Sequence, residues 1–198
     1  MAPWSTPVTL AGKLVELIPM NMSHKDDLLL AASDGKLWNL WYTSVPSAKT
    51  INQYIETALG QYESKSAIPF VIRNKNTGQI VGSTRFMNMD LKHKRLEIGY
   101  TWYAKSAQRT GINTECKYLL LQYAFESMGA IAVEFRTHFH NHPSRNAILR
   151  LGAKQDGILR NHKLDAQGNL RDTVVFSILD SEWKTVKAGL EFKMDRNS

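Results

Sequence analysis

The sequence predicts an α/β chain of the α+β kind, built on one mixed, mostly antiparallel sheet of about seven strands with helices on both faces. Several short runs alternate apolar and polar residues with a period of two, which indicates strands, and other runs space apolar residues three and four apart, as amphipathic helices do. Short glycine-containing loops at Asn74–Gly78 and Asp165–Asn169 join successive strands as hairpins. The element order is βααβββαβαββ followed by a C-terminal helix.

The individual elements follow from these periods and from capping residues. In chain order we expect strand Gly12–Pro19, helix His24–Ser33 capped by Ser23, a helix from Ser47 or Thr50 to about Glu63, strands Ile68–Arg73, Gln79–Asn88 and Leu96–Tyr103, a helix from Ile112 to about Met128, strand Ile131–Thr137, helix Pro143–Leu151, strands Lys154–Leu164 and Arg171–Leu179, and a helix capped by Ser181. We expect one domain spanning residues 1–198, with residues 1–9 as an N-terminal tail.

The composition fits a soluble globular protein, with 43% hydrophobic and 22% charged residues. Neither a basic segment followed by an apolar run nor about eighteen consecutive apolar residues occurs, so we expect no signal peptide and no membrane helix. Cys116 is the sole cysteine, which excludes an intramolecular disulfide and favours the cytoplasm. The formal charge of +7 favours an anionic partner, but the basic residues are scattered, so no nucleic acid is expected.

The stretch Leu96–Gln122 combines a strand, a tight turn and a long helix. Strict alternation places Leu96, Ile98, Tyr100 and Trp102 on one face of the strand and Glu97, Gly99 and Thr101 on the other. The turn Gln108–Thr114 has few bulky side chains and leads directly into the helix. Free N–H groups and the helix dipole favour anions at such a helix start, and Gly111 allows close approach of a ligand, so the turn can hold a diphosphate.

Two motifs resemble those of the GNAT (GCN5-related) N-acetyltransferases. The turn Gln108, Arg109, Thr110, Gly111, Ile112, Asn113, Thr114 is similar to the Q/R-x-x-G-x-G/A pyrophosphate motif, with Asn113 where the family usually has Gly or Ala. Asn141-His142-Pro143-Ser144, followed by Ile148–Ala153, is similar to the N-x-x-S…L-G-F/A pattern of the RimJ/RimL group of ribosomal-protein N-terminal acetyltransferases. With the element order, the resemblance covers about Leu10 to Leu190 and implies the GNAT fold.

The resemblance also implies a co-substrate and the residues that hold it. It implies acetyl-CoA, an anion consistent with the net charge, and no metal. It places the pyrophosphate at Gln108–Thr114, the pantetheine arm against Asn141 and the main chain of Thr101, Trp102 and Tyr103, and the thioester sulfur near Ser144. A backbone N–H near Tyr100–Trp102 would hold the oxyanion.

Acyl transfer to an amine needs a base and an acid, and the sequence offers a candidate for each. Glu97 is the candidate base, because a carboxylate desolvated on a strand has a raised pKa; the alternative is a structural ion pair with Arg95, Lys94 or Arg85. Ser144 is the candidate acid for the leaving thiolate, or alternatively a helix cap. Tyr103 is a second candidate acid, or a core residue.

Cations and aromatic residues supply the remaining candidates. Arg109 and Lys105 could contact phosphates and Arg145 the ribose phosphate, although each could equally be a surface cation. The aromatic segment Asp34–Pro46 could line the acceptor pocket through Trp38, Trp41 and Tyr42, with Arg85 binding an acidic group; alternatively these rings cap the core.

Two further features bear on the mechanism. His138, His140 and His142 alternate, which would put three imidazoles on one face of a strand, but no carboxylate or cysteine accompanies them, so no metal site is expected. Cys116 lies on the apolar stripe of its helix, so it is expected to be a buried structural residue, which favours direct transfer in a ternary complex.

The function expected from the sequence is acetyl-CoA-dependent N-acetylation of a primary amine, either a protein N-terminus or a small molecule. The alternatives are a catalytically silent acyl-CoA-binding domain of the same fold and, less favoured, a basic nucleic-acid-binding protein. A homodimer is left open.

Overall fold

Eight strands form one sheet in the computed structural model, which describes residues 4–165 and 167–196. The strands are β1 (Leu10–Ala11), β2 (Val15–Pro19), β3 (Ala67–Asn74), β4 (Ile80–Asp90), β5 (Arg95–Tyr103), β6 (Ala132–His138), β7 (Lys154–Leu164) and β8 (Leu170–Leu179). The helices are α1 (Lys25–Ser33), α2 (Ile51–Glu63), α3 (Ile112–Gln122), α4 (His142–Leu151) and α5 (Asp180–Asp195). The predicted α+β class and element order are confirmed.

The spatial order of the strands is β1-β2-β3-β4-β5-β6-β8-β7. All neighbouring strands are antiparallel except β5 and β6, which are parallel because α3 connects them as a crossover. The prediction of about seven strands missed β1. The chain turns between Ala11 and Val15, where Gly12 N–H donates to the Val15 carbonyl at 2.9 Å. The expected strand Gly12–Pro19 therefore begins only at Val15, as β2, which forms a short hairpin with β1.

The helices cover both faces of the sheet. Neighbouring residues of β4 show the two sides, because Arg85 contacts Gln61 of α2 whereas Thr84 belongs to a polar cluster with Lys117 of α3. Two caps differ from those expected. Asn21, not Ser23, caps the short 3₁₀ helix before α1, and α5 begins at Asp180, one residue before the expected cap Ser181. Thr50, one of the two residues expected to open α2, is its N-cap residue.

The core lies between the sheet and its helices and is almost wholly aliphatic and aromatic. Trp4 belongs to it: its ring is buried, and its Nε1–H donates to the Met128 carbonyl at 2.7 Å, where α3 continues as a π-helical turn, Tyr123–Ser127. The expectation of a tail at residues 1–9 is therefore wrong at Trp4. None of the helices in the described ranges combines the length and the hydrophobicity that a membrane span requires.

Candidate active site

The two parallel strands β5 and β6 separate after a short paired section. Within the described residues they pair at Arg95 with Ala132, Leu96 with Val133 and Glu97 with Glu134. Beyond Glu97, β5 continues to Tyr103 alongside β4, while β6 continues to His138 alongside β8. The result is an opening between the strands whose closed end is marked by Glu97 and Glu134. Backbone groups of β5 that would face β6 are left available to a ligand.

A β-bulge lies on the β5 side of this opening. Arg85 pairs with Gly99 and Ser83 with Trp102, so β5 holds one residue more than β4, and Tyr100 adopts a φ of 48°. The strict alternation expected for Leu96–Tyr103 therefore fails at Tyr100, whose ring turns toward Arg85 and Tyr54. At Gly99 an added Cβ would meet Met87 Sδ at 2.6 Å and Glu97 Oε1 at 3.2 Å, so a larger residue would have to displace the Met87 side chain.

Glu97 sits at the closed end of the opening and is buried, with 6% of its surface exposed. Asn88 Nδ2 donates to its Oε2 at 2.8 Å, and Arg136 Nε lies 3.6 Å from the same oxygen. Burial raises the pKa of Glu97, while Arg136 and Asn88 oppose the rise and Glu134 adds to it. The expected alternative partners Arg95, Lys94 and Arg85 were wrong, because the cation beside Glu97 comes from β6.

A small polar cavity of about 140 Å³ adjoins the Glu97 carboxylate. It is lined by Asn88, Asp90, Arg95, Leu96, Glu97, Glu134 and Arg136. Glu134 pairs with both Arg95 and Arg136, which balances much of the charge. A cavity of this size and polarity can hold water, so it offers a route for protons between Glu97 and solvent.

The start of α3 has the geometry of an anion site. The first backbone bond of the helix runs from Glu115 N–H to the Gly111 carbonyl at 3.0 Å, so the N–H groups of Ile112, Asn113 and Thr114 precede the helical bonding pattern. Ile112 N–H makes a 3.3 Å contact with Thr110 Oγ1. The remaining N–H groups and the helix dipole favour a phosphate here.

The turn before α3 is held by its own side chains. Gln108 Nε2 donates to the Tyr103 carbonyl at 2.9 Å, and Thr110 Oγ1 donates to the Ala107 carbonyl at 2.7 Å. Arg109, whose side chain is exposed, takes the positive φ of 61°. Gly111 has an ordinary helical φ of −67°, and its missing side chain leaves room for Leu14, whose Cδ1 would lie 2.9 Å from an added Cβ.

Asn141 and Ser144 lie at the start of α4, beyond the end of β6. Asn141 Oδ1 accepts the Ser144 N–H at 3.2 Å. Asn141 is therefore the N-cap of α4, the alternative role that the sequence suggested for Ser144. Arg145 does not extend freely toward solvent: its Nη1 donates to the Phe139 carbonyl at 3.1 Å and its guanidinium lies 5.0 Å from the Phe139 ring centre. The three residues together fix the chain between β6 and α4.

The three alternate histidines do not share a strand face. β6 ends at His138, whose Nδ1 accepts the His140 N–H at 3.1 Å, and His142 begins α4. No group of three metal-ligating side chains that could hold an ion occurs in the part of the chain described. Burial lowers the pKa of His138, and nearby Arg171 lowers it further.

The expected acceptor-pocket residues fall into different surroundings. Trp38 lines an open groove with Leu29, Ser33, Ser47, Ala48 and Lys49. Trp41, 59% exposed, packs edge-on against Tyr42 at 5.6 Å and against His138 at 4.9 Å between ring centres. Trp41 and Tyr42 thus lie near the end of β6, whereas Trp38 does not share their contacts.

Arg85 is enclosed rather than open to an acceptor. It is 1% exposed, its Nη1 donates to Gln61 Oε1 at 2.8 Å, and its guanidinium lies 4.0 Å from the Tyr100 ring centre and 5.1 Å from that of Tyr54. Its Nε is buried and has no hydrogen-bond partner among the described residues. The expectation that Arg85 contacts an acidic acceptor group directly is therefore not met.

Two of the expected cofactor residues have side chains in the core. Trp102 Nε1 donates to the Tyr54 hydroxyl at 3.1 Å, and Tyr54 in turn donates to Ser83. The Tyr103 hydroxyl is buried beside the Cys116 thiol, and burial raises its pKa well above the ordinary value. Of the two alternatives for Tyr103, an acid or a core residue, its burial supports the core residue. Cys116 is buried, as expected, and burial also raises the pKa of its thiol.

Two buried charged residues of α3 were missed from the sequence. Glu115 accepts the N–H groups of Lys13, Leu14 and Val15 at 2.7–2.8 Å. Lys117 is 5% exposed, and its Nζ donates to Thr101 Oγ1 at 2.6 Å. Both interrupt an otherwise apolar helix face, which is the signal that could have identified them.

Comparison with known proteins identifies the family of this chain, whose site combines an opening between two strands with a helix start that can bind anions. Residues 15–154 match the profile of the acetyltransferase (GNAT) domain. The chain belongs to the GNAT family of N-acetyltransferases. Members of this family use acetyl-CoA and act on amine acceptors.

Individual GNAT relatives support this assignment along most of the chain. The uncharacterized N-acetyltransferase YoaA of Bacillus subtilis (strain 168) is 27% identical over 141 residues, covering 70% of this chain and 78% of the relative. A GCN5-related N-acetyltransferase from Brucella melitensis superposes with a TM-score of 0.85 at 28% identity, covering 96% of this chain and 86% of that one. RimJ of Mycobacterium smegmatis, solved with CoA-disulfide, has the same fold, with a TM-score of 0.80 at 20% identity and 96% of each chain covered.

Proposed function

We propose that this GNAT protein transfers an acetyl group from acetyl-CoA to a primary amine, by direct attack within a ternary complex, as an enzyme of the RimJ/RimL type. The observation that carries the proposal is the opening between β5 and β6, which runs from the buried carboxylate of Glu97 toward the anion-binding start of α3. One end of the opening thus suits proton transfer and the other suits a diphosphate.

Coenzyme A fits this arrangement through groups of the chain itself. Its pyrophosphate would accept hydrogen bonds from the N–H groups of the Gln108–Thr114 turn, with the exposed Arg109 nearby. The available backbone of Thr101, Trp102 and Tyr103 would pair with the pantetheine amides, as an added strand does. Asn141 would bind the arm from the α4 side, and Arg145 supports this position by holding the preceding loop.

Glu97 would act as the base, directly or through a water molecule. Its raised pKa makes the carboxylate a better proton acceptor than an exposed glutamate, and the adjacent polar cavity can pass the proton to solvent. A backbone N–H near the bulge at Tyr100 would stabilise the oxyanion. Ser144, at the first turn of α4, is the acid candidate that the sequence motif suggests.

The acceptor is proposed to enter on the face of the sheet that carries α1 and α2. The Glu97 side chain, the Tyr100 ring and the buried guanidinium of Arg85 lie on this face. Trp41 and Tyr42 lie near the end of β6. The fold shared with RimJ supports a protein N-terminus, and a small amine remains the alternative.

The test is calorimetric binding of acetyl-CoA and CoA, followed by a mass-spectrometric screen in which candidate peptides and small amines are incubated with acetyl-CoA. We expect saturable binding of both nucleotides and a mass increase of one acetyl group on at least one amine class. Absence of binding would overturn the proposal. Tight binding without transfer to any amine would instead favour a silent acyl-CoA-binding domain.

A further inference from the structure

Lys117 is a buried cation that neither the fold nor the proposed base and phosphate sites explain. It is 5% exposed, in the middle of α3, on the side facing the sheet. No carboxylate pairs with it in the part of the chain that the structure describes. A buried ammonium without a carboxylate partner is costly, so its retention calls for an anion that the folded chain itself does not supply.

The position of Lys117 identifies where that anion would be. Its Nζ lies 2.6 Å from Thr101 Oγ1, on the separated part of β5, and 6.0 Å from the ring centre of Phe135. Phe135 directly follows Glu134, the last residue of β6 that pairs with β5. The ammonium therefore lies beneath the region where β5 and β6 have separated, on the face opposite to the acceptor side.

The hydrogen bonds of Lys117 leave part of its donor capacity unused. An ammonium carries three N–H donors, and Thr101 Oγ1, which also shares a 2.8 Å bond with Thr84 Oγ1, accepts one of them. From α3 itself, the Cys116 thiol is the neighbouring ionisable group, while the Glu115 carboxylate accepts the N–H groups of residues 13–15. Thr101 Oγ1 is the one hydrogen-bond acceptor of Lys117 Nζ among the described residues, so two of its three N–H donors remain for other partners.

We infer that Lys117 is the acid of the proposed acetyl transfer, donating a hydrogen bond to the CoA sulfur and a proton to it as the carbon–sulfur bond breaks. This inference rests on the proposed function. The amine nitrogen forms its bond to the acetyl carbon and gives one proton to Glu97, while the electron pair of the broken bond goes to sulfur together with a proton from Lys117 Nζ. Lys117 then regains a proton from solvent, and Glu97 loses one, which balances the step.

The acidity of Lys117 matches this role. Burial lowers its pKa from 10.5 to about 8, close to the pKa of about 8.5 of an ordinary thiol, so a proton can pass to a leaving thiolate with little penalty. A serine hydroxyl is far less acidic. In this scheme Ser144 positions the substrate rather than supplying the proton.

The test measures the ionisation of the thiol of bound CoA, which does not depend on turnover. Thiolate absorbance in the ultraviolet is followed against pH for the CoA complexes of the unchanged chain, Lys117→Met, Lys117→Arg and the exposed control Lys184→Met. The unchanged chain and the control are expected to lower the thiol pKa, with roughly tenfold or more thiolate at a given pH than in free CoA. Lys117→Met is expected to leave the thiol pKa of bound CoA at its value in free CoA. Lys117→Arg is expected to keep the lowered thiol pKa, because arginine is also a cation, but to slow acetyl transfer, because arginine retains its proton.

The outcomes separate this inference from the proposed function. If the unchanged chain binds CoA but leaves its thiol pKa at the value of free CoA, Lys117 does not face the sulfur and the inference fails while the proposed function stands. A Lys117→Met complex with the same lowered thiol pKa overturns it equally. Absence of CoA binding to the unchanged chain overturns both.

Discussion

At the scale of single residues, the site depends on Glu97, which is both buried and ionisable. Its surroundings work in opposite directions: burial and Glu134 raise its pKa, while Arg136 and Asn88 restrain the rise. Because a base must be deprotonated to accept a proton, activity should fall as the pH drops through this raised pKa.

Glu97→Gln removes the base without changing the size of the side chain. We expect kcat/KM to fall roughly 10²- to 10⁴-fold and its acidic limb to disappear, with CoA affinity unchanged, as measured by pH–rate profiles and calorimetry. Glu134→Gln is the matched comparison: it should keep the acidic limb but move it to lower pH, because the neighbouring negative charge no longer raises the Glu97 pKa. Full turnover by Glu97→Gln would remove Glu97 from the role of base.

At the scale of elements, the start of α3 is fixed by an interaction that crosses from one end of the sheet. The Glu115 carboxylate accepts three N–H groups of the turn between β1 and β2, and an added Cβ at Gly12 would lie 2.5 Å from that carboxylate. The same helix start carries the proposed phosphate-binding N–H groups. Glu115 thus ties the position of this turn to the first hairpin.

Glu115→Gln should weaken this connection, because the amide presents one acceptor oxygen and one NH₂ group to three N–H donors. We expect a loss of about 1–3 kcal/mol in the free energy of unfolding, measured by urea denaturation. The control is Glu56→Gln on the exposed side of α2, which should stay within about 0.5 kcal/mol of the unchanged chain. Equal midpoints for the two variants would show that the contact contributes nothing to stability.

The elements were largely predictable from the sequence, but their irregularities were not. Strands β3 to β8 and all five helices follow from apolar periods and hairpin loops, which are local signals. The bulge at Tyr100 and the turn between β1 and β2 depend on contacts with distant residues, such as Ser83 opposite Trp102 and Glu115 opposite Leu14. The two motifs, Gln108–Thr114 and Asn141–Ser144, lie at helix starts as their sequences predicted. The ion pair between Arg136 and Glu97 joins two strands that are distant in sequence, so no motif indicated it.

At the scale of the whole molecule, Lys117 is expected to reduce stability in exchange for its chemistry. Its pKa is lowered from 10.5 to about 8, so the energetic cost of the buried charge is fully present below pH 8. Between about pH 8 and 10.5 the unfolded chain binds a proton that the folded chain does not, so stability attributable to this group rises with pH.

Removing the buried charge should remove a cost of about 3 kcal/mol, and losing the Thr101 hydrogen bond should cost about 1 kcal/mol, so Lys117→Met should be more stable than the unchanged chain at pH 7 by roughly 2 kcal/mol. This advantage should shrink as the pH rises toward 10, as measured by denaturant unfolding at a series of pH values. Lys184→Met, at an exposed position of α5, should show no such trend. A pH-independent difference between Lys117→Met and the unchanged chain would show that the buried ammonium is not the cause.

The brief pairing of β5 with β6 has a consequence for the mechanical behaviour of the molecule. In the described chain, strands β1 to β5 form one antiparallel plate and β6, β8 and β7 another, and three residue pairs join them within the sheet. Few cross-strand pairs give low resistance to local opening, so this seam should open more readily than the longer strand pairings on either side of it. A ligand lying between the plates would brace them, so the stiffness of the sheet would follow the occupancy of the site.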